Sequence, residues 1–78
     1  MANIEKYDKA FVDAFTIEKG KLVGLTYQAI LAWDSVGHMG LMAILEEVFD
    51  IMLETDDIID FSSYERGKEI LKKYGIEI

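Results

Sequence analysis

Cysteine is missing from this sequence, and so is proline. Without thiols the chain forms no disulfide, offers no thiolate to a metal, and does no sulfur chemistry except with a group brought from elsewhere. Without proline, and with glycines only scattered, the composition favours ordered helices over a disordered tail. Histidine is scarce too, with His38 alone; one histidine beside carboxylates at unrelated spacings makes no transition-metal site. Asp56, Asp57 and Asp60 do not have the spacing of a calcium-binding loop, so no metal is expected. No apolar run is long enough to span a bilayer, and Glu5, Lys6 and Asp8 so early break any signal-peptide pattern. A cytoplasmic chain without membrane insertion is therefore expected.

Basic residues are absent from one stretch. Residues 34–62 carry Asp34, Glu46, Glu47, Asp50, Glu54, Asp56, Asp57 and Asp60 with no lysine or arginine, whereas the acids and bases of residues 1–33 balance. The formal net charge of -7 thus begins at Asp34. Such a block excludes binding to a phosphate backbone and favours basic protein surfaces; its plainer reading is a solvated face that keeps a small protein in solution.

What is present reads as helices around one small core, since 78 residues make a single domain (1–78) near the lower size limit for a core without staples. Ile4, Tyr7, Phe11, Ala14 and Phe15 repeat at helical spacing and predict a first helix over 3–15, with Asn3 as N-cap and Glu5 against the dipole. From Thr16 to Trp33 no period is clean. Leu22, Val23, Leu25, Tyr27, Ile30, Leu31 and Trp33 are nonetheless too apolar for a free loop, so several are expected to pack on the helices.

A second helix is predicted over 35–50, apolar on more than one face and hence central, with Gly37 and Gly40 weakening its start. Close approach of another backbone, a partner surface, or a loose helix start would each account for them. Thr55, Asp56 and Asp57 open a short third helix. Ser62 with Glu65 reads as a capping box for a fourth, carrying Tyr64, Gly67, Ile70, Leu71 and Tyr74 inward and stopping at Gly75. The class is all-α: a four-helix bundle of three long helices and one short, with a long packed loop between the first two.

Ser35 lies where loop becomes helix. Catalysis by Ser35, His38 and Asp34 fails on geometry, because residues adjacent on a helix diverge and Asp34 cannot orient His38 while His38 serves Ser35. Trp33 also stands where a nucleophile elbow needs glycine. His38 is expected at the surface or its boundary. The chain is thus not expected to be an enzyme, and Ser35 is left either as a helix cap or as a residue that another protein modifies.

Asp34-Ser35-Val36, then Leu41-Met42, Leu45-Glu46-Glu47, Phe49, Leu53, Asp56-Asp57 and Ser62-Ser63, resemble the acyl carrier proteins over about residues 25–74. The resemblance implies that Ser35 accepts 4'-phosphopantetheine from coenzyme A, transferred by a holo-acyl-carrier synthase (a phosphopantetheinyl transferase). The arm's terminal thiol then carries acyl groups as thioesters for a specialised lipid or secondary-metabolite pathway such as fatty acid or polyketide biosynthesis. It implies a monomer in which Asp34, Val36, Met39, Glu46 and Glu47 face basic acyl-loading and acyl-transfer enzymes. The plainer readings stand beside it: Asp34 a cap, Val36 and Met39 core, the glutamates solvated. Excess apolarity of the second helix further suggests an acyl path lined by Leu41, Leu45, Phe49 and Ile58.

This chain departs from common carriers after the serine, where Val36 replaces leucine and Gly37, His38 and Gly40 stand in place of acids. The Trp-Asp-Ser-x-Gly-His-Met form resembles discrete carriers of dedicated pathways. Two alternatives remain: an aminoacyl, peptidyl or D-alanyl carrier, and a small acidic helical interaction module binding through Met39, Met42 and Met52.

Overall fold

The computed structural model of this chain describes residues 2–78. Its helices are α1 (Asn3–Phe15), α2 (Ser35–Phe49), α3 (Thr55–Asp60) and α4 (Tyr64–Lys73), with one 3-10 turn, Lys19–Lys21, inside the long loop. The described residues form no strand, only an isolated antiparallel bridge between Thr26 and Ser63. The all-α order of long helix, long loop, long helix, short helix and long helix is therefore the one the periodicity predicts.

α1 supplies the centre of the core. Phe11 has the rings of Tyr7, Phe15, Trp33, Phe61 and Tyr64 around it at centroid distances of 5.0–6.3 Å, mostly edge to face. Its N-cap is Ala2, one residue before the expected Asn3; the Glu5 carboxylate reaches back to accept the Ala2 amide at 3.2 Å, while the Asn3 amide donates to the Glu77 carbonyl at 3.0 Å. α1 and α2 each end on a non-glycine residue in the left-handed region, Thr16 and Asp50.

α2 is less central than its composition suggests. Only Leu41, Met42 and Leu45 are buried, whereas Val36, Met39 and Val48 face outward. A helix apolar on several faces is here packed on one of them, because the aromatic side of α1 already fills the middle.

The long loop is packed, as expected, through Leu22, Leu25 and Trp33; Val23 and Leu31 point into solvent. It is stitched to the start of α4. The Tyr27 amide donates to the Ser62 carbonyl and the Tyr64 amide to the Leu25 carbonyl, both at 2.9 Å. The capping box predicted at Ser62 is displaced by one residue: Ser63 is the N-cap and its Oγ accepts the Arg66 amide, because Ser62 is engaged in this bridge. Glu65 is drawn off to accept the Gly24 amide at 3.1 Å. Gly67 lets α4 approach closely, since a Cβ there would lie 2.2 Å from both Phe61 Cζ and Tyr7 Oη. Gly75 ends α4 at φ 82° as a C' residue, with the Ile76 amide returning to the Leu71 carbonyl.

One polar network crosses this core. The Tyr7 hydroxyl donates to the Tyr64 carbonyl at 2.6 Å, and the Tyr64 hydroxyl donates to the buried Asp8 carboxylate. Burial pushes both phenols well above their ordinary range, and for Tyr64 the bond to Asp8 acts the same way. Folded phenols therefore keep protons that unfolded ones release near about pH 10, so stability is whole below that pH and falls above it. Thermal melts between about pH 8 and pH 11 should fall less steeply for Tyr7→Phe than for the unaltered chain, from a lower starting point. Parallel curves would exclude Tyr7 as a source of the alkaline loss.

Candidate functional site

Asp34 is the N-cap of α2, its carboxylate accepting the Gly37 amide at 2.8 Å. This settles which member of the Asp-Ser pair caps the helix. Ser35 is the first helical residue and is exposed, so its hydroxyl is not spent on the first-turn amides. The alternatives for Gly37 and Gly40 also divide. A Cβ on Gly37 would lie 1.9 Å from the Ala32 carbonyl oxygen, whereas a Cβ on Gly40 would have nothing within 4 Å. Gly37 is thus explained by a backbone folded against it, and Gly40 is not.

Ser35 opens onto a cleft of about 360 Å³ between the start of α2 and α3. His38 and Met39 of α2 form one wall, Ile58 and Ile59 of α3 the other, with Tyr27 and Phe61 behind them and Ser62 at the edge. The lining is predominantly apolar. Of the residues expected to line an acyl path beside α2, only Ile58 borders this cleft. Leu41 and Leu45 are fully buried in the core, and Phe49 packs half-buried against it.

The residues expected to face partners are brought together in part. Asp34, Val36 and Met39 are exposed around Ser35, with Val36 at 78% and Met39 at 54% of full accessibility, so neither belongs to the core. Glu47 is exposed one helical stretch further on, whereas the Glu46 carboxylate turns back to accept the Leu53 amide at 2.9 Å. Ile59, three-quarters exposed, extends the apolar rim, and Leu31, four residues before Ser35 in sequence, is almost fully exposed. Met42 is buried, so Met39, Met42 and Met52 form no common surface.

The acidic block is not uniformly solvated either. Asp57 bonds Lys73 Nζ and the Tyr74 hydroxyl, both at 2.5 Å, and Asp60 pairs with Arg66. The hydrogen bonds from Lys73 and then Tyr74 hold the Asp57 carboxyl below the usual carboxylate range. That attachment of α3 to α4 is fully present above the ordinary carboxylate pKa and weakens as pH falls through the lowered one. Glu47, Asp50, Glu54 and Asp56 remain on the outside.

His38 holds a place that sequence reading left at the boundary without a role. Its Nδ1 accepts the Trp33 indole N–H at 2.9 Å, and its Nε2 lies 2.7 Å from the Ile58 carbonyl oxygen. A signal for the Trp33 contact was present. Trp33 precedes the N-cap and His38 is the fourth helical residue, the two positions of a hydrophobic staple, and their rings lie nearly coplanar with centroids 6.2 Å apart, as the hydrogen bond between them requires. Among the described residues no cluster of histidine and carboxylates is arranged to hold a metal ion, and no helix is long and apolar enough to cross a membrane. Comparison of the chain with family models, curated proteins and solved structures yields no match in any of the three.

Proposed function

We propose that this chain is a carrier protein of the acyl-carrier type, in which Ser35 bears 4'-phosphopantetheine and partner enzymes load and unload acyl groups. The observation that carries this reading is the exposed Ser35 hydroxyl, relieved of capping by Asp34 and placed at the mouth of an apolar cleft. When attached, the arm supplies a thiol that holds acyl groups as thioesters, a chemistry this cysteine-free chain cannot provide itself.

The chain's own residues contribute position and recognition. α2 starts sharply at Ser35, so an arm attached there leaves from a fixed point and swings from it. Met39 and Ile59 on the cleft, with exposed Val36 beside Ser35, give an approaching enzyme apolar surface, and Asp34 and Glu47 add negative charge suited to a basic partner. The apolar lining of the cleft favours an acyl over an aminoacyl cargo. His38 lines the same cleft but has both ring nitrogens engaged, by Trp33 and by Ile58, so activation of the Ser35 hydroxyl falls to the modifying enzyme.

Co-expression with a broad-specificity phosphopantetheinyl transferase should yield one phosphopantetheine adduct by intact mass, absent in Ser35→Ala. An unmodified chain, or an adduct that persists in Ser35→Ala, would refute the reading.

A further inference from the structure

The helix facing Ser35 across the cleft is held in an unusual way. α3 has six residues and buries none of them completely. Ile58 is its half-buried contact with the core, and Ile59 lies open to solvent on the cleft rim. So short a helix has no independent stability, and its place is set by what it is tied to.

Those ties differ on its two sides. Towards α4 they are several: Asp57 to Lys73 and Tyr74, Asp60 to Arg66, and the Glu54 amide just before α3 to the Tyr74 hydroxyl at 2.9 Å. Towards α2, the Glu46 carboxylate holds the Leu53 amide two residues before α3, and among the described residues a single side-chain hydrogen bond reaches α3 itself, the one between His38 and Ile58. The Ile58 carbonyl lies in the last turn of α3, where no partner exists within the helix.

The chemistry of that bond is fixed by its neighbour. An indole nitrogen only donates, so Nδ1 of His38 must accept from Trp33, and the proton of the neutral ring must sit on Nε2 and point at Ile58. Trp33 is fully buried and its ring is stacked on Phe15, so the donor that selects this tautomer does not move away. Tyr27 and Phe61 pack edge to face on the imidazole at 5.5 and 6.1 Å and hold its plane.

We infer that His38 is a positioning residue that latches α3 over the cleft: Trp33 sets its tautomer, its Nε2–H holds the Ile58 carbonyl, and α4 is the hinge on the far side. Releasing the latch frees Ile58 and Ile59 to swing away from Met39 while the rest of the bundle stays assembled. The width of the cleft at Ser35 then depends on a residue that contacts no attached group. The inference goes beyond the carrier reading and is tested on the unmodified chain, so it stands or falls apart from the modification of Ser35.

Nitrogen-15 spectra of the unaltered protein should show the His38 ring as the neutral Nε2–H tautomer, with Nδ1 as acceptor. In His38→Leu, amide exchange at Ile58, Ile59 and Asp60 should rise roughly tenfold over the same amides in the unaltered chain. Amides of α1 should change far less, and Ile58 and Ile59 should move away from Met39 across the cleft. His38→Gln, which keeps one acceptor and one donor on the same side chain, should restore much of the protection; a purely space-filling role would favour leucine instead. An Nδ1–H tautomer, equal acceleration in α1 and α3, or glutamine behaving no better than leucine would each overturn the latch. If His38→Leu does not fold, Trp33→Phe decides. Losing the indole donor, along with part of the ring's volume, should admit the Nδ1–H tautomer and raise exchange in α3, and an unchanged ring spectrum would overturn the proposal.

Discussion

Trp33→Ala is expected to cost the fold about 4 kcal/mol, within the usual range for deleting a buried aromatic side chain. Trp33 is completely buried, stacks on Phe15 at 5.2 Å and meets Phe11 edge to face at 5.6 Å, so its removal opens a cavity between the loop and α1. It also deprives His38 Nδ1 of its donor. A chain of this length has a total stability of roughly 4 to 12 kcal/mol, so the loss is a large part of it. Urea unfolding followed by far-ultraviolet circular dichroism should place the midpoint far below that of the unaltered chain. Leu31→Ala, two residues away but 98% exposed, should shift it by less than about 0.5 kcal/mol. Similar midpoints for the two variants would show that Trp33 is not seated in the core.

The second large effect is a pair of opposite signs three residues apart. Gly37→Ala should destabilise by about 2 to 3 kcal/mol, because its methyl group meets the Ala32 carbonyl oxygen at 1.9 Å and neither lies at the end of a flexible side chain. Relief requires moving either the first turn of α2, which breaks the Asp34 cap, or the Ala32 peptide, which carries Trp33 with it. Gly40→Ala should stabilise by about 1 kcal/mol, since the position is helical and open and alanine is the better helix former. Urea titrations of both variants decide the matter, and a common sign would contradict the close approach at Gly37. Should Gly40→Ala be more stable yet, if Ser35 is modified as proposed, be modified more slowly, the glycine serves partner approach and not folding.

The periodic segments were legible in the sequence because each buries one face. α1 and α4 carry aromatic and aliphatic residues at helical spacing, and the inward positions of α4 from Tyr64 to Leu71 are the buried ones. α2 misled because its apolar residues outnumber the places available to them; which face packs is decided by α1, far away in sequence. The cap of α4 shifted by one residue for a similar reason. Ser62 and Ser63 are equivalent locally, and only the bridge to the loop separates them. At the site, Ser35 and Asp34 were visible as a helix start, and Val36 and Met39 as its neighbours. The cleft was not, because Tyr27 of the long loop, and Ile58 and Phe61 of α3 and its C-cap, meet the start of α2 only in the closed fold. His38 was visible as a residue but not as a bridge, since the Ile58 carbonyl it holds has no signature in any side chain.

The bridge between the long loop and the start of α4 has a consequence for the order of assembly. Trp33, two residues before Ser35, is docked in the core, and the loop that delivers it is fastened by hydrogen bonds from the Tyr27 amide to Ser62 and from the Tyr64 amide to Leu25. A half-made chain, with α1 and α2 present and α4 still to come, therefore lacks the bonds that fasten this loop. If Ser35 is modified as proposed, an enzyme that reads this loop together with the serine would mark only finished molecules.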